Sequence, residues 1–323
     1  MIVAGRRARL RDTPHMAATP VIGSDVLGSV SERVDRVLRE WLGRSAEDLG
    51  RIDEHAPMLA FEIGRLVAAG GKRLRPAFCI WGYRAAVAPG QAVHDEEPIV
   101  RSAAAIELLH TMALVHDDLM DAATHRRGVA ASAPHLAHRA RELSLPTDPD
   151  RFGRAAALLV GDLAAVLADR LLLTSDFDAD AIVRALAPYH EMRLEMAAGQ
   201  LLDVAGLASE PDTAHRAARL KGGSYTVVGP LLVGAALAGD RADAREALRA
   251  YGEPLGEAFQ LRDDLHDRDG AHGATRETVN DLVVASRRAL GEAGASLDAG
   301  AVASLDAGAV ASLDALAALV AMP

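Results

Sequence analysis

Apolar residues recur along most of the chain with the three-and-four spacing of amphipathic helices. The pattern begins near Val26, after which Val30, Val34 and Val37 share one face. It predicts further helices over residues 58–69, 74–87, 99–122, 152–173, 180–204, 211–221, 226–238 and 243–265. Residues 140–151, which contain two prolines, are predicted to form a loop. We find no segment with the period of two that is typical of a strand. The sequence therefore predicts an all-α fold.

The two ends of the chain depart from this pattern. Residues 1–25 carry four arginines without an apolar core behind them, which indicates a disordered leader and not a signal peptide. Near the other end, residues 295–302 read ASLDAGAV, and residues 303–310 repeat the same letters. Because this period matches no solenoid repeat, we expect a local duplication that lengthens a surface helix or loop. We predict a single domain over residues 26–323.

Composition narrows the range of functions. The chain carries 45 acidic and 35 basic residues, a net charge of -10, which argues against a nucleic-acid partner. The single cysteine, Cys79, excludes a disulfide within the chain and fits a cytoplasmic protein. No uninterrupted apolar run reaches the roughly 18 residues of a membrane span, so we expect no stable membrane insertion. Ala and Leu, which are good helix formers, supply much of the apolar content.

Two short acidic strings with the spacing DDxxD each follow an apolar helical stretch. Their carboxylates belong to Asp117, Asp118, Asp121, Asp263, Asp264 and Asp267. The first and last aspartates of a string lie four residues apart and share one helix face, which is costly unless a cation lies between them. One such string is compatible with a solvated helix end, but two argue for a site. Mg²⁺ binds one or two carboxylates together with substrate phosphates, so it is the expected cofactor.

A di-iron carboxylate site is the competing interpretation of these carboxylates. Such a site requires a Glu-x-x-His motif on two inward-facing helices. The chain contains this string once in a suitable helix, as Glu107-Leu108-Leu109-His110, and we find no second copy. Magnesium is therefore favoured over iron.

Basic residues near the predicted helix ends offer partners for an anion. Gly70 and Gly71 allow the backbone to turn sharply and approach a ligand, and Lys72 and Arg75 follow with donors for a phosphate. A basic turn of this kind is also compatible with a merely solvated loop.

Three more cations and a histidine accompany the first acidic string. Arg126 and Arg127 come five and six residues after Asp121, either as phosphate donors or as a structural ion-pair network. Lys221 stands alone at a helix end, where it also suits the helix dipole. His110 lies two turns before Asp117 on the same face, which favours a ligand-binding role over a satisfied core histidine.

Taken together, these motifs resemble the polyprenyl synthetase family, the head-to-tail isoprenyl diphosphate synthases. The matching strings are GGKRLRP from Gly70, ELLHTMALVHDDLMD from Glu107, RRG from Arg126, VGDLAAVLADRLL from Val160, EMAAGQLLD from Glu195, KGGSYTVVGPLLVGAALAG from Lys221 and GEAFQLRDDLHD from Gly256. Their order and spacing resemble the family over residues 30–267. The resemblance implies antiparallel helices around a deep central cavity, usually in a homodimer.

The resemblance also implies substrates and residue roles. The substrates are isopentenyl diphosphate and an allylic diphosphate, which condense to a longer prenyl diphosphate. The implied ligands of Mg²⁺ and the allylic diphosphate are Asp117, Asp121 and Asp263, supported by Asp118, Asp264 and Asp267, with Arg126 and Lys221 on the same diphosphate. The implied partners of isopentenyl diphosphate are Lys72, Arg75, His110 and Arg127, while Gln200 and Gln260 line the reaction centre.

Product length depends on the floor of the cavity in this family. Met112 and Ala113 lie one turn before Asp117, where the farnesyl-length members often carry aromatic rings. Ala113 leaves room and Met112 is adaptable, which predicts a geranylgeranyl product.

The resemblance fails after Asp267, where residues 268–323 are shorter than the family's C-terminal region. No lysine follows Lys221, so the family's Gly-Lys loop is missing, and His272 or Arg276 would have to replace it. We expect the loss to open one side of the bundle and expose apolar surface.

Two alternatives follow, a class I terpene cyclase and a catalytically impaired regulatory subunit. A second diphosphate site at GGKRLRP and Arg127 argues against the cyclase, and the two acidic strings argue against the silent subunit.

Overall fold

The computed structural model describes residues 23–88, 95–207, 213, 216–217, 219–266, 275–295 and 307–321. Eleven α-helices dominate these residues, and the predicted all-α fold is confirmed. The helices are α1 (Gly23–Ile52), α2 (Pro57–Ala68), α3 (Leu74–Ala86), α4 (Glu97–Met120), α5 (Ser132–Glu142), α6 (Pro149–Leu173), α7 (Ala179–Val204), α8 (Gly229–Leu237), α9 (Ala242–His266), α10 (Arg276–Ala295) and α11 (Ala307–Ala321), with a π-helical segment at Arg219–Val228.

Helix α4 forms the centre of the bundle and packs against α1, α3 and α6. It is the one helix of the described part of the chain that is long and apolar enough to cross a membrane. Its neighbours bury 72% of the apolar window, however, which is typical of a core helix. The C-terminal end of α4 carries the first acidic string, so a largely buried helix also delivers the charges of the site.

A two-stranded hairpin after α4 was not predicted. β1 (His125–Arg126) pairs with β2 (Val129–Ala130) in antiparallel register, with Arg126 opposite Val129. The two residues of the turn, Arg127 and Gly128, have φ values of 51° and 77°, as a type I′ turn requires. Two-residue strands are too short to show alternation, which is why the sequence pattern did not reveal them.

Several predicted boundaries were wrong. The expected loop over residues 140–151 is shorter, because α5 continues to Glu142 and α6 already begins at Pro149. Proline is well tolerated in the first turn of a helix, and the side chain of Asp148 caps α6 by accepting a hydrogen bond from the amide of Arg151 at 2.7 Å. The helix expected over residues 226–238 starts instead as the end of the π-helical segment.

Two expectations fall partly outside the described residues. Of the predicted leader, residues 1–22 lie outside, and residues 23–25 belong to α1. Residues 211, 212, 214, 215 and 218 of the helix predicted over residues 211–221 lie outside as well. The division into a leader and a single domain therefore stays a prediction.

The described end of the duplicated C-terminal sequence, residues 307–310, belongs to a helix that packs in the core, so for these residues the expected surface element was wrong. Helix α11 contains the end of the second copy and the start of the third. Its Leu313, Leu316 and Val320 are fully buried, and it packs against α1, α3, α9 and α10. The side of the bundle that we expected to be open is thus covered by α11.

Helices α3 and α8 approach each other closely because glycines face the contact. A Cβ atom at Gly234 would lie 2.6 Å from the amide nitrogen of Tyr83, and one at Gly82 would lie 2.8 Å from Cα of Leu231. Both distances are shorter than side-chain contacts allow. The separation of the two helices, and with it the position of α3 beside the site, depends on these glycines.

We predict that Gly234→Ala lowers the free energy of unfolding by about 1–3 kcal/mol, because the added methyl group must push two backbones apart. The matched control is Gly43→Ala on α1, where no atom lies within 4 Å of the added methyl group. Better helix propensity makes that variant more stable by about 0.5–1 kcal/mol. Denaturant unfolding measures both. Equal effects of the two substitutions would contradict the close packing of α3 and α8.

Candidate active site

A cavity of about 1030 Å³ lies between α3, α4, α7, α9 and the π-helical segment. Most of the predicted site residues line it, which brings together segments that are far apart in sequence. The predicted residues on its wall are Lys72, Arg75, His110, Met112, Ala113, Asp117, Arg127, Gln200, Lys221, Gln260 and Asp263. Arg126, Asp118 and Asp121 lie beside it through their contacts with one another or with Asp117.

Asp117 is the centre of one group of charges at the cavity wall. Its Oδ1 lies 3.2 Å from Nζ of Lys221 and accepts a hydrogen bond from Nε2 of Gln200 at 3.1 Å. Its Oδ2 lies 3.3 Å from Nη2 of Arg126. Lys221 also contacts Asp203 at 2.7 Å. Three elements, α7, the hairpin and the π-helical segment, therefore converge on the end of α4.

Asp118 holds the hairpin in place and faces away from the cavity. Nε of Arg126 donates to its Oδ1 at 2.8 Å, and the Asp118 side chain is 5% exposed. Burial alone lowers the pKa of Arg126, but the bond to Asp118 and the charges of Asp117 and Asp121 outweigh it, so the pKa is raised. Arg126 thus stays charged, and its bond to Asp118 fixes the hairpin against α4.

A buried guanidinium, Arg73, shapes the glycine-rich turn before α3. Its Nε donates to Asp35, its Nη1 to Glu107 and its Nη2 to the carbonyl of Val67, each at 2.8 Å. These bonds hold Arg73 at a φ of 50°, a left-handed conformation that is uncommon for this residue type. Glu107 is therefore occupied by a cation, which removes the support for a di-iron ligand at that position.

A second group of cations surrounds His110. Nη1 of Arg75 lies 3.2 Å from Nε2 of His110, and Nη2 of Arg127 lies 3.4 Å from the same atom. Arg75 also donates to Oγ1 of Thr226 at 2.7 Å and lies 4.8 Å from the centre of the Tyr225 ring. Arg127 donates to the carbonyl of Gly70. The group therefore joins the glycine-rich turn, the hairpin and the π-helical segment.

His110 is held as a neutral imidazole. Burial, and then the charges of Arg75 and Arg127, lower its pKa well below the ordinary 6.5. Because a guanidinium can only donate, Nε2 must be the acceptor, which places the ring proton on Nδ1. Among the described residues, Nδ1 has no hydrogen-bond partner, and neither do Nε of Arg75 and the hydroxyl of Tyr225. Unpaired buried polar atoms are costly, so this cluster indicates a polar ligand.

The carboxylates suit a magnesium ion that binds together with a diphosphate. Burial and the charge of Asp117 raise the pKa of Asp121, which shows that negative charge is crowded there. No three side chains of His, Cys, Asp or Glu in the described part of the chain could hold a metal ion by themselves. Mg²⁺ with one or two carboxylates completes its shell from phosphate oxygens. Asp117 and Asp263, both on the cavity wall, fit that requirement.

The structure gives no contact with the cavity for several predicted residues of the C-terminal region. The side chain of Asp264 and the whole of Asp267 and His272 lie outside the described residues. Arg276 is the first residue of α10 and is exposed. Their assigned roles stay predictions.

The apolar part of the cavity lies between α4 and α7. Met112 and Ala113 line it from α4, and Met196, Leu201 and Val204 line it from α7. None of these side chains is an aromatic ring. This wall can accommodate a hydrocarbon chain that leads away from the charges at Asp117.

Sequence reasoning missed Arg73, Tyr225, Thr226, Asp203 and Arg262. Tyr225 and Thr226 stand in the string KGGSYT, next to a lysine that was assigned, so their proximity to Lys221 was the available signal. The contacts of Arg73 and Asp203 depend on tertiary packing. Arg262 stands beside Asp263 and lines the cavity. The DDxxD pattern includes only the aspartates, so it did not point to this arginine.

Comparison with known proteins identifies relatives. The family model for polyprenyl synthetase matches residues 57–285. A (2E,6E)-farnesyl diphosphate synthase of Mycobacterium tuberculosis is 35% identical over 251 residues, which are 74% of this chain and 61% of that protein. A geranylgeranyl pyrophosphate synthase of Geoglobus acetivorans is 29% identical over 79% of this chain and 69% of its own length. The chain thus spans about three fifths of the length of the mycobacterial relative.

Solved structures share the fold. A crystal structure of a geranylgeranyl pyrophosphate synthase from Corynebacterium glutamicum, complexed with isoprenyl diphosphate and magnesium, matches with a TM-score of 0.81. The match covers 91% of this chain and 99% of that one at 24% identity. A farnesyl/geranylfarnesyl diphosphate synthase (FPP/GFPP synthase) from Zymomonas mobilis matches with a TM-score of 0.71 at 23% identity, over 93% and 99% of the two chains.

The neutral state of His110 predicts a pH dependence of stability. Because its pKa is lower in the folded than in the unfolded chain, its contribution is present above pH 6.5 and is lost as the pH falls below that value. We expect the melting temperature of His110→Gln to fall less steeply than that of the wild type between pH 7.5 and 5.5. His138→Gln, which removes an exposed histidine of α5, should keep the wild-type slope. Identical slopes for all three proteins would contradict this assignment.

Proposed function

Because the chain belongs to the polyprenyl synthetase family, we propose that it is a prenyltransferase that condenses isopentenyl diphosphate with an allylic diphosphate in the presence of Mg²⁺. One observation carries this proposal. A single cavity holds two groups of cations, one around Asp117 and one around His110, and an apolar wall. A terpene cyclase needs one diphosphate site, whereas a condensation of two diphosphates needs both.

The group around Asp117 suits the allylic diphosphate. Bound magnesium supplies positive charge that stabilises the departing diphosphate. Lys221 and Arg126 already lie within 3.3 Å of Asp117 and donate to the same region. Once a phosphate occupies the cavity, they can share their donors between Asp117 and the phosphate oxygens. Asp263 stands on the α9 wall of the same cavity as the second carboxylate.

The group around His110 suits the diphosphate of isopentenyl diphosphate. Lys72, Arg75 and Arg127 line this part of the cavity and provide three positive charges. The Nδ1 proton of neutral His110 provides a further donor. The ring of Tyr225 holds Arg75 on one side, and Thr226 holds it on the other. These contacts pre-orient donors for a phosphate, which reduces the entropy that binding costs.

The reaction follows from this division. The bond between C1 and oxygen of the allylic diphosphate breaks, and its electron pair leaves with the pyrophosphate. The double bond of isopentenyl diphosphate attacks the allylic C1, and a proton then leaves C2 of the isopentenyl unit to an oxygen of the released pyrophosphate. Gln200 and Gln260 both lie on the cavity wall, where they would line the reaction centre. The scheme needs no nucleophilic side chain.

The apolar wall supports a geranylgeranyl product. Relatives are named for farnesyl, geranylgeranyl and octaprenyl products, so kinship alone leaves the chain length open. The floor beside Asp117 is formed by the small Ala113 and the flexible Met112. We propose that this floor admits a farnesyl primer and one further unit.

We also propose a cytoplasmic homodimer. Leu159, Val166 and Leu173 recur at seven-residue spacing on α6, and each is more than half exposed. A second copy of the same helix would bury such a stripe. Cys79 is a free, buried thiol, which fits a reducing compartment.

We expect Asp117→Asn to reduce kcat by at least about 100-fold, because it removes the charge around which Lys221, Arg126 and the metal ion are arranged. The assay follows labelled isopentenyl diphosphate with dimethylallyl, geranyl or farnesyl diphosphate and sizes the products after dephosphorylation. Glu47→Gln, an exposed acid on α1, serves as the matched control. Pyrophosphate release that does not depend on isopentenyl diphosphate would indicate a cyclase. A folded wild-type protein that makes no product with any primer would contradict the proposed function.

The chain-length proposal predicts that Ala113→Phe shortens the product. A ring at this position fills the floor next to Met112 and blocks the chain beyond the farnesyl length. The measurement is the ratio of farnesyl to geranylgeranyl product, which should rise by about tenfold, a difference of about 1.4 kcal/mol between the two elongation steps. Ala198→Phe, on an exposed face of α7 and outside the cavity wall, should leave the ratio unchanged. An unchanged ratio in Ala113→Phe would show that the floor lies elsewhere.

A further inference from the structure

Helix α11 ends against an arginine of α9. Nη1 of Arg262 lies 3.3 Å from the carbonyl oxygen of Leu319 and 3.5 Å from that of Val320. These carbonyls belong to the last turn of α11, where no intrahelical amide can reach them. The C-terminus of a helix also carries partial negative charge, which favours a cation. Arg262 is therefore the cap of the C-terminal helix.

The same guanidinium belongs to the cavity wall. Its Nη2 donates to Oδ1 of Asp263 at 3.1 Å, and its Cζ lies 5.1 Å from the centre of the Phe259 ring. Phe259, Gln260, Arg262 and Asp263 all line the cavity. The Arg262 side chain is only 12% exposed, so its position is closely determined. One end of the guanidinium thus faces α11, and the other faces the site.

Arg262 is the cation that α9 contributes to this wall. The other residues of α9 on the wall are aromatic, amide and carboxylate. No lysine follows Lys221 in the chain, so arginine and histidine are the basic residues left to the C-terminal region. A diphosphate held near Asp263 would lie beside the guanidinium of Arg262, because the two side chains are bonded to each other on the cavity wall. Guanidinium donors match phosphate oxygens well.

We infer that Arg262 is a further substrate-binding residue for the allylic diphosphate, and that helix α11 holds it in position. This inference rests on the proposed function. Nη1 contacts the carbonyls of α11, and Nη2 donates to Asp263 on the cavity wall, so the contact with α11 fixes the guanidinium beside the site. The helix that follows the duplicated sequence therefore serves the site as well as the core.

Helix α11 has other anchors that do not touch the cavity. The hydroxyl of Tyr251 donates to the carbonyl of Leu313 at 2.7 Å. Arg287 forms two bonds with Asp314, at 2.5 and 2.7 Å. Neither Tyr251 nor Arg287 lines the cavity. These anchors allow the helix to be loosened without a change in the wall itself.

The first test is Arg262→Ala. We expect KM for the allylic diphosphate to rise by about tenfold, the usual loss for a charged hydrogen bond, while KM for isopentenyl diphosphate changes less than about twofold. Arg262→Lys keeps the charge and should recover part of the loss. Calorimetric titration with inorganic pyrophosphate and Mg²⁺ should show the same weakening without turnover. Arg249→Ala, which removes an exposed arginine of α9 outside the cavity wall, should change none of these quantities.

The second test loosens α11. Tyr251→Phe removes the bond to Leu313, so KM for the allylic diphosphate should rise by about two- to threefold. In the Arg262→Ala background the same substitution should have no further effect on KM, because the residue that α11 positions is already gone. Thermal unfolding of each variant separates this coupling from a loss of stability.

Three outcomes would overturn the inference. Arg262→Ala could lower the melting temperature and leave both KM values unchanged, which would make Arg262 a helix cap only. It could raise both KM values alike, which would indicate a general distortion of the cavity. Tyr251→Phe could raise KM equally in both backgrounds, which would show that α11 does not act on the site through Arg262. A wild-type protein without product would contradict the proposed function instead, and pyrophosphate titration would still test Arg262.

Discussion

The carboxylate of Asp117 joins the parts of this molecule. It stands at the C-terminal end of the buried helix α4, where the helix dipole disfavours a negative charge. Lys221, Gln200 and Arg126 compensate it, and they come from the π-helical segment, α7 and the hairpin. Because the Asp117 charge is unfavourable without these partners, the π-helical segment, α7 and the hairpin all pack against the end of α4. Together they form one wall of the cavity.

In the proposed function an acidic chain binds two anions, which requires its cations to be in place before the ligands arrive. Each main cation of the cavity except Lys72 has a described partner: Lys221 contacts two aspartates, Arg127 a backbone carbonyl and Arg75 a threonine hydroxyl. Because these partners fix the donors in advance, binding of a diphosphate requires an exchange of hydrogen bonds and little new ordering. Nδ1 of His110 and the hydroxyl of Tyr225 have no partner among the described residues, so a bound diphosphate can form additional hydrogen bonds there.

Helix α11, which follows the duplicated sequence, adds apolar residues to the core. Leu313, Leu316 and Val320 of α11 are buried against the helices that carry the site. The third copy differs from the first two after Ala315, which supplies Leu316, and Val320 follows just after this copy. In a shift by one copy these positions would hold glycine and serine, so burial of the two apolar residues favours one register of α11.

The sequence by itself determined the helical fold, the two acidic strings and the basic residues of the site, because helical periodicity and motif spacing are local properties. It also indicated the family, because the strings keep their order along most of the chain. Only the tertiary structure decided that Asp118 anchors the hairpin, that Arg73 shapes the glycine-rich turn and that α11 lies in the core. These features depend on contacts between residues up to dozens of positions apart, and hydrogen bonding and burial at such distances leave no periodic trace in the chain.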